Sequence, residues 1–496
     1  MNNQVFILFL IILASSWAFP DESQAKADEK KNYEPNWESF HQYEIPEWFR
    51  DAKLGIYFHW GPYSVPAYDF EWYSRLMYID GHDINEYHKK TYGPPEEFGY
   101  KDFIPMFKGE HFDADEWVDL FVKAGAKFIG PVTEHADGFA MWDSDLTKWD
   151  ARDMGPKIDV VGEMERAVRE RGLKFITTFH HHWLHAWYPT WDENMDCSKP
   201  EYRDLYGPVV PSDTWGPHDE MPDPAPDEEF CNRWYTRVVE VINKYRPDLI
   251  YFDAKMHIID EDYRLKLLSY YYNKGEAWDR DVVFTYKFED MKPHSAVLDL
   301  ERSRLGEMSE RPWLTDDSMD WDSWSHVQNP NYKSTDRLVD FLVDVVSKNG
   351  NVLLNVPPKA NGKIPEPVKK RLLEMGEWLE INGEAIYGTR PWKTYGEGPT
   401  EISEGRLNEK DHADHVAADI RYTTKGETLY AFTLAIPQKP LMIKTLADKR
   451  NQQIKEISLL GSQEKVNWEQ SKEGLQIQPP SEAPCDHALT YKIIFK

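Results

Sequence analysis

Short apolar runs of strand character alternate with amphipathic helical stretches along most of this 496-residue chain. No other feature limits its fold as strongly. Eight such runs can be read: LGIYFHWG (Leu54–Gly61), KFIGPVTEH (Lys127–His135), KFITTFHH (Lys174–His181), LIYFDA (Leu249–Ala254), VVFTYKF (Val282–Phe288), AVLDLER (Ala296–Arg302), PWLTDDSM (Pro312–Met319) and NVLLNVPP (Asn351–Pro358). Helical patterns separate most of them. FDADEWVDLFVKAG offers Asp113 and Asp115 as caps and Gly125 as a stop, and VVGEMERAVRERG closes on Gly172. Strand and helix in alternation predict a (β/α)8 barrel over residues 28–391. An open doubly wound sheet is disfavoured, because no glycine-rich phosphate loop follows the first strand. From Trp392 the period changes to two, as in TLYAFTLAI and ALTYKIIFK, which predicts an antiparallel β-sandwich over 392–496.

Composition excludes several roles. The chain has 58 basic and 86 acidic residues, a net charge of −28, so phosphate backbones would repel it and nucleic acid is not an expected partner. Three cysteines without CxxC spacing supply neither a disulfide framework nor a thiolate zinc site. Val5–Ala14 (VFILFLIILA) is too short to span a bilayer and is followed by small residues. Residues 1–27 read as a signal peptide and leader, cut between about residues 16 and 27, which implies a secreted or periplasmic protein with no membrane span. No pattern specifies an oligomeric state or calls for a cofactor.

A barrel carries its chemistry at the C-terminal ends of its strands. Those ends are polar here: His59 and Trp60, then Glu134, His135 and Asp137, then His180 and His181, then Asp253, then Asp299, Glu301 and Arg302, then Asp316 and Asp317. An acid after an apolar strand also suits a helix N-cap. Several such ends at one barrel mouth favour a site. Carboxylates with histidines and an excess of tryptophan suit glycoside hydrolysis, in which one acid attacks or activates water and another protonates the leaving oxygen.

Longer motifs sharpen this. WFRDAKLGIYFHWGPYSVPAY (Trp48–Tyr68), EWY (Glu71–Tyr73), HADGFAMWDS (His135–Ser144), RPDLIYFD (Arg246–Asp253), VSKNGNVLLNVPPKANGKIPE (Val346–Glu366) and NGEAIYGTRPW (Asn382–Trp392) resemble, in order, the signature blocks of glycoside hydrolase family 29, the α-L-fucosidases. The resemblance implies a retaining, exo-acting enzyme without metal or cofactor, acting on a fucosylated oligosaccharide or polysaccharide. It implies Asp253 as the nucleophile. It points to His59, Trp60, Glu71, Trp72, His135 and Trp142 as sugar contacts, and His180 is added to them as a residue that takes over a tyrosine's hydrogen bond to the nucleophile or the sugar.

The chain departs from the family at three places. Ala136 replaces the second histidine of an H-H-D-G-F block, and Glu134 stands where a lysine is usual. His180 and His181 occupy a place often held by Tyr-Tyr-Ser. Leu314 occupies the glutamate position of a P-W-E-T-like block, so the acid/base is assigned to Glu301, with Glu307, Glu310 and Asp316 as alternatives. A close relative acting on another L-fucose-like sugar such as an α-L-galactoside, and a silent sugar-binding protein, are the competing readings. A metal-dependent hydrolase built on His180, His181, His182 and His185 is a third.

Overall fold

The computed structural model describes residues 30–212, 224–405, 407–447 and 453–496. The leader expected over residues 1–27 lies outside them. Eight strands close a parallel barrel in chain order: β1 (Leu54–Phe58), β2 (Phe128–Glu134), β3 (Lys174–Phe179), β4 (Leu249–Phe252), β5 (Val283–Lys287), β6 (Val297–Asp299), β7 (Trp313–Ser318) and β8 (Gly350–Val356). β8 returns to β1 over Leu54–Phe58.

Period two sorts each strand into an inner and an outer face. The inner set begins with an apolar layer of Phe128, Ile176, Leu249, Val283, Val297, Leu314 and Leu353, all fully buried. Gly55 belongs to it because a Cβ there would lie 2.1 Å from the Phe128 ring. Two residues further along come Tyr57, Thr178, Tyr251, Thr285, Asp299, Asp316 and Asn355. Two further still, at or past the strand ends, come His59, His180, Asp253, Lys287 and Glu301. The interior therefore grades from apolar to ionisable toward the mouth.

Helices shield the outer face, and their ends follow local chemistry. Asp113 caps Ala114–Lys123 by accepting from the Glu116 N–H at 3.0 Å, and Gly125 ends that turn with φ +96°. Asp159, Asp227 and Ser334 cap the helices Val160–Glu170, Glu228–Tyr245 and Thr335–Ser347 in the same way. Among the described residues no helix is long and apolar enough to cross a membrane.

β5, β6 and β7 follow one another without intervening helices. The second domain meets the barrel beside this gap. It contains β9 (Arg390–Glu397), β10 (Ile420–Lys425), β11 (Thr428–Thr433), β12 (Leu441–Ile443), β13 (Ile454–Leu459), β14 (Trp468–Gln470), β15 (Leu475–Ile477) and β16 (Leu489–Phe495). They form antiparallel sheets in the orders β13-β16-β11-β10-β9 and β12-β15-β14. Tyr422, Leu429, Leu459 and Ile493 of the larger sheet share one core with Ile443, Leu475 and Ile477 of the smaller.

Buried charges join the two domains. Glu409, in the β9–β10 connection, accepts a fork from Arg304 (Nε 2.8 Å, Nη2 3.0 Å) and a bond from Arg337 Nε at 3.0 Å. Burial alone would raise this carboxyl. The Arg304 guanidinium, the His412 hydrogen bond and Arg337 overcome that and hold it at about 2. Removing one partner of a buried pair costs about 3–5 kcal/mol, since the other charges stay uncompensated. Glu409→Gln should therefore lower stability by that order in urea unfolding at pH 7. The carboxyl is depressed, so its contribution is complete above its unfolded value near 4.5 and disappears as pH falls toward 2. The gap between wild type and variant should close over that window. A gap independent of pH would count against the ion cluster.

Candidate active site

Lys287, the last residue of β5, is fully buried at the base of the barrel mouth. Its Nζ lies 3.0 Å from Asp316, 3.0 Å from Glu301, 3.2 Å from Asp299 and 3.6 Å from Asp253. An ionised carboxylate at this distance attracts the ammonium by roughly 5 kcal/mol at the effective dielectric of a protein, which is of the order of the several kcal/mol that desolvating one ammonium costs. Burial by itself would lower the lysine, but the carboxylates raise it well above its ordinary value, with Asp316 the strongest.

The four acids divide by environment. Asp316 accepts from Tyr57 Oη at 2.8 Å and Tyr251 Oη at 3.2 Å. Burial pushes it up, yet Lys287 and hydrogen bonds from Asp299 and Tyr57 bring it below the usual range, so it is ionised. Asp299 is driven well above that range by burial and by Asp316, so it keeps a proton and shares it with Asp316. Asp253 and Glu301 are both raised, first by burial, with Lys287 pulling each back. Their contacts to one Nζ bound the separation of the nearer oxygens at about 6.6 Å. Charge on either carboxyl disfavours charge on the other. The Ala254 N–H and the Trp183 indole also favour charge on Asp253.

Residues around Glu301 fix its direction. Arg302 has φ +43°, a costly value for a side chain of this size. Two backbone bonds of 2.9 Å hold it there, from the Arg302 N–H to the Asp316 carbonyl and from the Glu409 N–H to the Arg302 carbonyl. The Arg302 guanidinium lies 4.4 Å from the centre of the Trp324 ring.

Asp253 and Glu301 open into a cavity of about 590 Å³ that Glu71, Trp72, Trp183, Trp321 and Trp324 also line. Leu407 and Lys410 of the second domain form part of its wall. Burial raises the Glu71 carboxyl to about 7, against its own N–H and that of Trp324, which donates at 3.0 Å. His59, His135 and His180 are not part of that lining; they cluster with ring centres 4.7–5.5 Å apart, and His59 packs on Trp324, which is. Burial holds all three imidazoles neutral, His59 at about 4 and His135 and His180 well below their ordinary value.

The tautomer of His59 follows from Asn355. The Asn355 amide nitrogen donates to Ser318 Oγ (3.0 Å) and the Trp324 carbonyl (2.6 Å). Its Oδ1 must then accept from the His59 N–H (3.0 Å) and from Nδ1 (2.8 Å). Nδ1 carries the proton and Nε2 is the free acceptor.

Two expected sugar contacts are corrected. Trp60 follows inward-facing His59 and so faces outward: it is 1% exposed, packs on Phe107, Phe112 and Trp117, and donates to the Lys359 carbonyl at 2.8 Å. Trp142 is fully buried behind β2 and β3, donating to Glu240 at 2.8 Å beneath the Arg237 guanidinium. The run from His180 to His185 is dispersed rather than clustered. His181 Nδ1 bonds Glu134 at 2.6 Å, His182 Nε2 bonds the Ala254 carbonyl at 2.7 Å, and His185 packs on Phe230. Glu134 pairs with Arg237 at 2.9 Å, outside the cavity. Glu307 and Glu310 are exposed and do not line it. Leu314 lies in the apolar layer of the barrel. Sequence reasoning missed Lys287, Trp183, Trp324 and the second-domain wall. Strand parity would have found Lys287, which shares a face with Val283.

A parallel (β/α)8 barrel whose mouth holds a close pair of unlike carboxyls, among tryptophans and neutral histidines, is a glycoside hydrolase scaffold. The profile of the Alpha-L-fucosidase family matches residues 22–384, and that of the Alpha-L-fucosidase C-terminal domain matches 412–494. The tissue alpha-L-fucosidase of Mus musculus is 29% identical over 95% of this chain and 96% of its own length. The plasma alpha-L-fucosidase of Homo sapiens is 28% identical over 91% and 90%. The Thermotoga maritima alpha-fucosidase in complex with fucose is 30% identical, with a TM-score of 0.71 over 93% of this chain and all of that one. This chain belongs to the α-L-fucosidase family, glycoside hydrolase family 29.

Because Trp60 is a core residue, Trp60→Phe should act on stability alone. Leaving the Lys359 carbonyl without its donor costs about 1–3 kcal/mol. Thermal unfolding should show that loss while KM for an aryl α-L-fucoside stays at its wild-type value. A raised KM at unchanged stability would return Trp60 to the sugar.

Proposed function

We propose that this protein is a secreted, exo-acting, retaining α-L-fucosidase with Asp253 as nucleophile and Glu301 as acid/base. The observation that carries the reading is the pair of unlike carboxyls on one buried ammonium. Their bounded separation fits the retaining arrangement of about 5–5.5 Å better than the inverting one, which begins near 6.5 Å. In the first step an Asp253 oxygen bonds the anomeric carbon as the glycosidic C–O bond breaks, and the Glu301 proton passes to the leaving oxygen. In the second step water gives its proton to Glu301, its oxygen bonds the anomeric carbon, and Asp253 leaves. His59, His135, His180 and Glu71 hold the sugar hydroxyls, and Trp72 and Trp324 cover its apolar surface. Fucose in the Thermotoga maritima relative and a mechanism-based inhibitor bound to the same protein support the substrate class.

Two variants test the roles. Asp253→Ala should lower kcat by about 10³ or more on every substrate. Glu301→Gln should cripple substrates with poor leaving groups and spare activated aryl fucosides, because a good leaving group needs little protonation. Azide should then restore breakdown of the glycosyl-enzyme. Equal losses on both substrate classes would remove Glu301 from the role.

Export rests on the apolar run Val5–Ala14 and the small residues after it. N-terminal sequencing of native protein should find the mature chain beginning between about residues 17 and 28. A native chain beginning at Met1 would refute export.

A further inference from the structure

We propose that His59, His135 and His180 form a reversible binding site for a borderline divalent cation, zinc above all, and that an ion there shuts out the sugar. The second half rests on the reading of this cavity as the sugar site, and the first half stands without it.

The three side chains come from the ends of β1, β2 and β3. Each offers a ligand atom, and the three atoms lie within 4.8 Å of one another. Nitrogens bound at about 2.0–2.1 Å around a tetrahedral zinc are roughly 3.3 Å apart, so the rings must close in by about 1.5 Å. The rings have reason to move. The Nδ1 atoms of His135 and His180 are buried and have no hydrogen-bond partner among the described residues, a costly state that a metal or a ligand would relieve. His135 and His180 are 5% and 6% exposed.

One further feature suits an ion. The Asn355 oxygen behind His59 Nδ1 fixes the tautomer that leaves Nε2 free, as the outer hydrogen bond of a metal-bound histidine does. Imidazole alone selects zinc, copper or nickel over magnesium and calcium. Three protein ligands would leave a tetrahedral ion its fourth position for water. A sugar held by the same imidazoles cannot share them with the ion.

The test uses the full-length protein, stripped with a chelator and dialysed. Cobalt(II) titration should saturate at one ion per chain with the visible d–d bands of a four-coordinate site, and zinc should displace it. Calorimetry with zinc chloride should give the same stoichiometry. His180→Gln and, independently, His135→Gln should each weaken the ion by more than the roughly 10–100-fold that loss of an outer partner costs. Thermal unfolding checks that each variant is folded. Saturating L-fucose should raise the apparent Kd for zinc, and zinc should inhibit aryl α-L-fucoside hydrolysis competitively, reversed by chelator. No saturable binding up to about 1 mM ion, or binding unchanged in both folded variants, would overturn the proposal. Binding lost in both variants but indifferent to fucose would uphold the metal site and refute these histidines as sugar contacts.

Discussion

The buried ammonium of Lys287 is the interaction on which the mouth of this barrel depends. It sits at the end of β5, where the adjoining wall is thin: β6 has three residues, and its ladder with β7 reduces to the pairing of Asp299 with Leu314. Backbone bonds from Leu300 and Arg302 extend the seam, but acids from β4, β6 and β7 also converge on the one cation. Charge thus ties together strands that share few hydrogen bonds. The same contacts set protonation, since an ionised Asp316 beside Lys287 makes Asp299 hold its proton and leaves Asp253 and Glu301 to divide what remains. Stability and acid–base behaviour come from one cluster here, so a change to either acts on the other.

The architecture was legible because each barrel strand is buried on both faces and reads as an apolar run ending in a polar residue. The end of a run does not tell which way a side chain points, and that is why Trp60 and Trp142 were misplaced. Alternation separates inward His59 from outward Trp60. On β2 alternation alone fails, because the register shifts between Val132 and Glu134. The extra residue sends Glu134 out toward Arg237 and His135 inward. Such a bulge leaves no mark in composition. Lys287 was illegible for another reason. In FTYKFED it reads as an ordinary surface lysine, and the partners that justify its burial lie on other strands.

The family departures also become physical statements. A carboxylate at 134 would be a buried, unpaired charge if nothing else had changed. Arg237 and His181 meet it, at 2.9 and 2.6 Å, so the exchange is compensated on the outer side of β2 and β3. Leu314 packs among other apolar side chains inside the barrel, where an acid would need a partner of its own. The second domain is a working part of the site as well. It is fastened by Glu409 to Arg304 and Arg337, and the same stretch of chain places Leu407 and Lys410 in the cavity wall.

Burial decides the charge of the site by acting in opposite directions on acids and bases. It keeps the three imidazoles neutral, keeps a proton on Asp299 and raises Glu71 to about 7. Lys287 is balanced by Asp316, and Lys333 is held by Asp317 at 2.5 Å. Asp253, 3.6 Å from the Lys287 ammonium, faces a cavity lined by indoles and by charges of both signs, Lys255, Lys410, Glu289 and Asp322 among them. A protein of net charge −28 thus presents a nearly neutral pocket. That suits an uncharged sugar, whose hydroxyls need directed donors and acceptors and whose ring carbons need flat apolar surface. In the proposed reaction the Asp253 carboxylate, at the edge of that pocket, meets the positive charge that develops at an anomeric carbon.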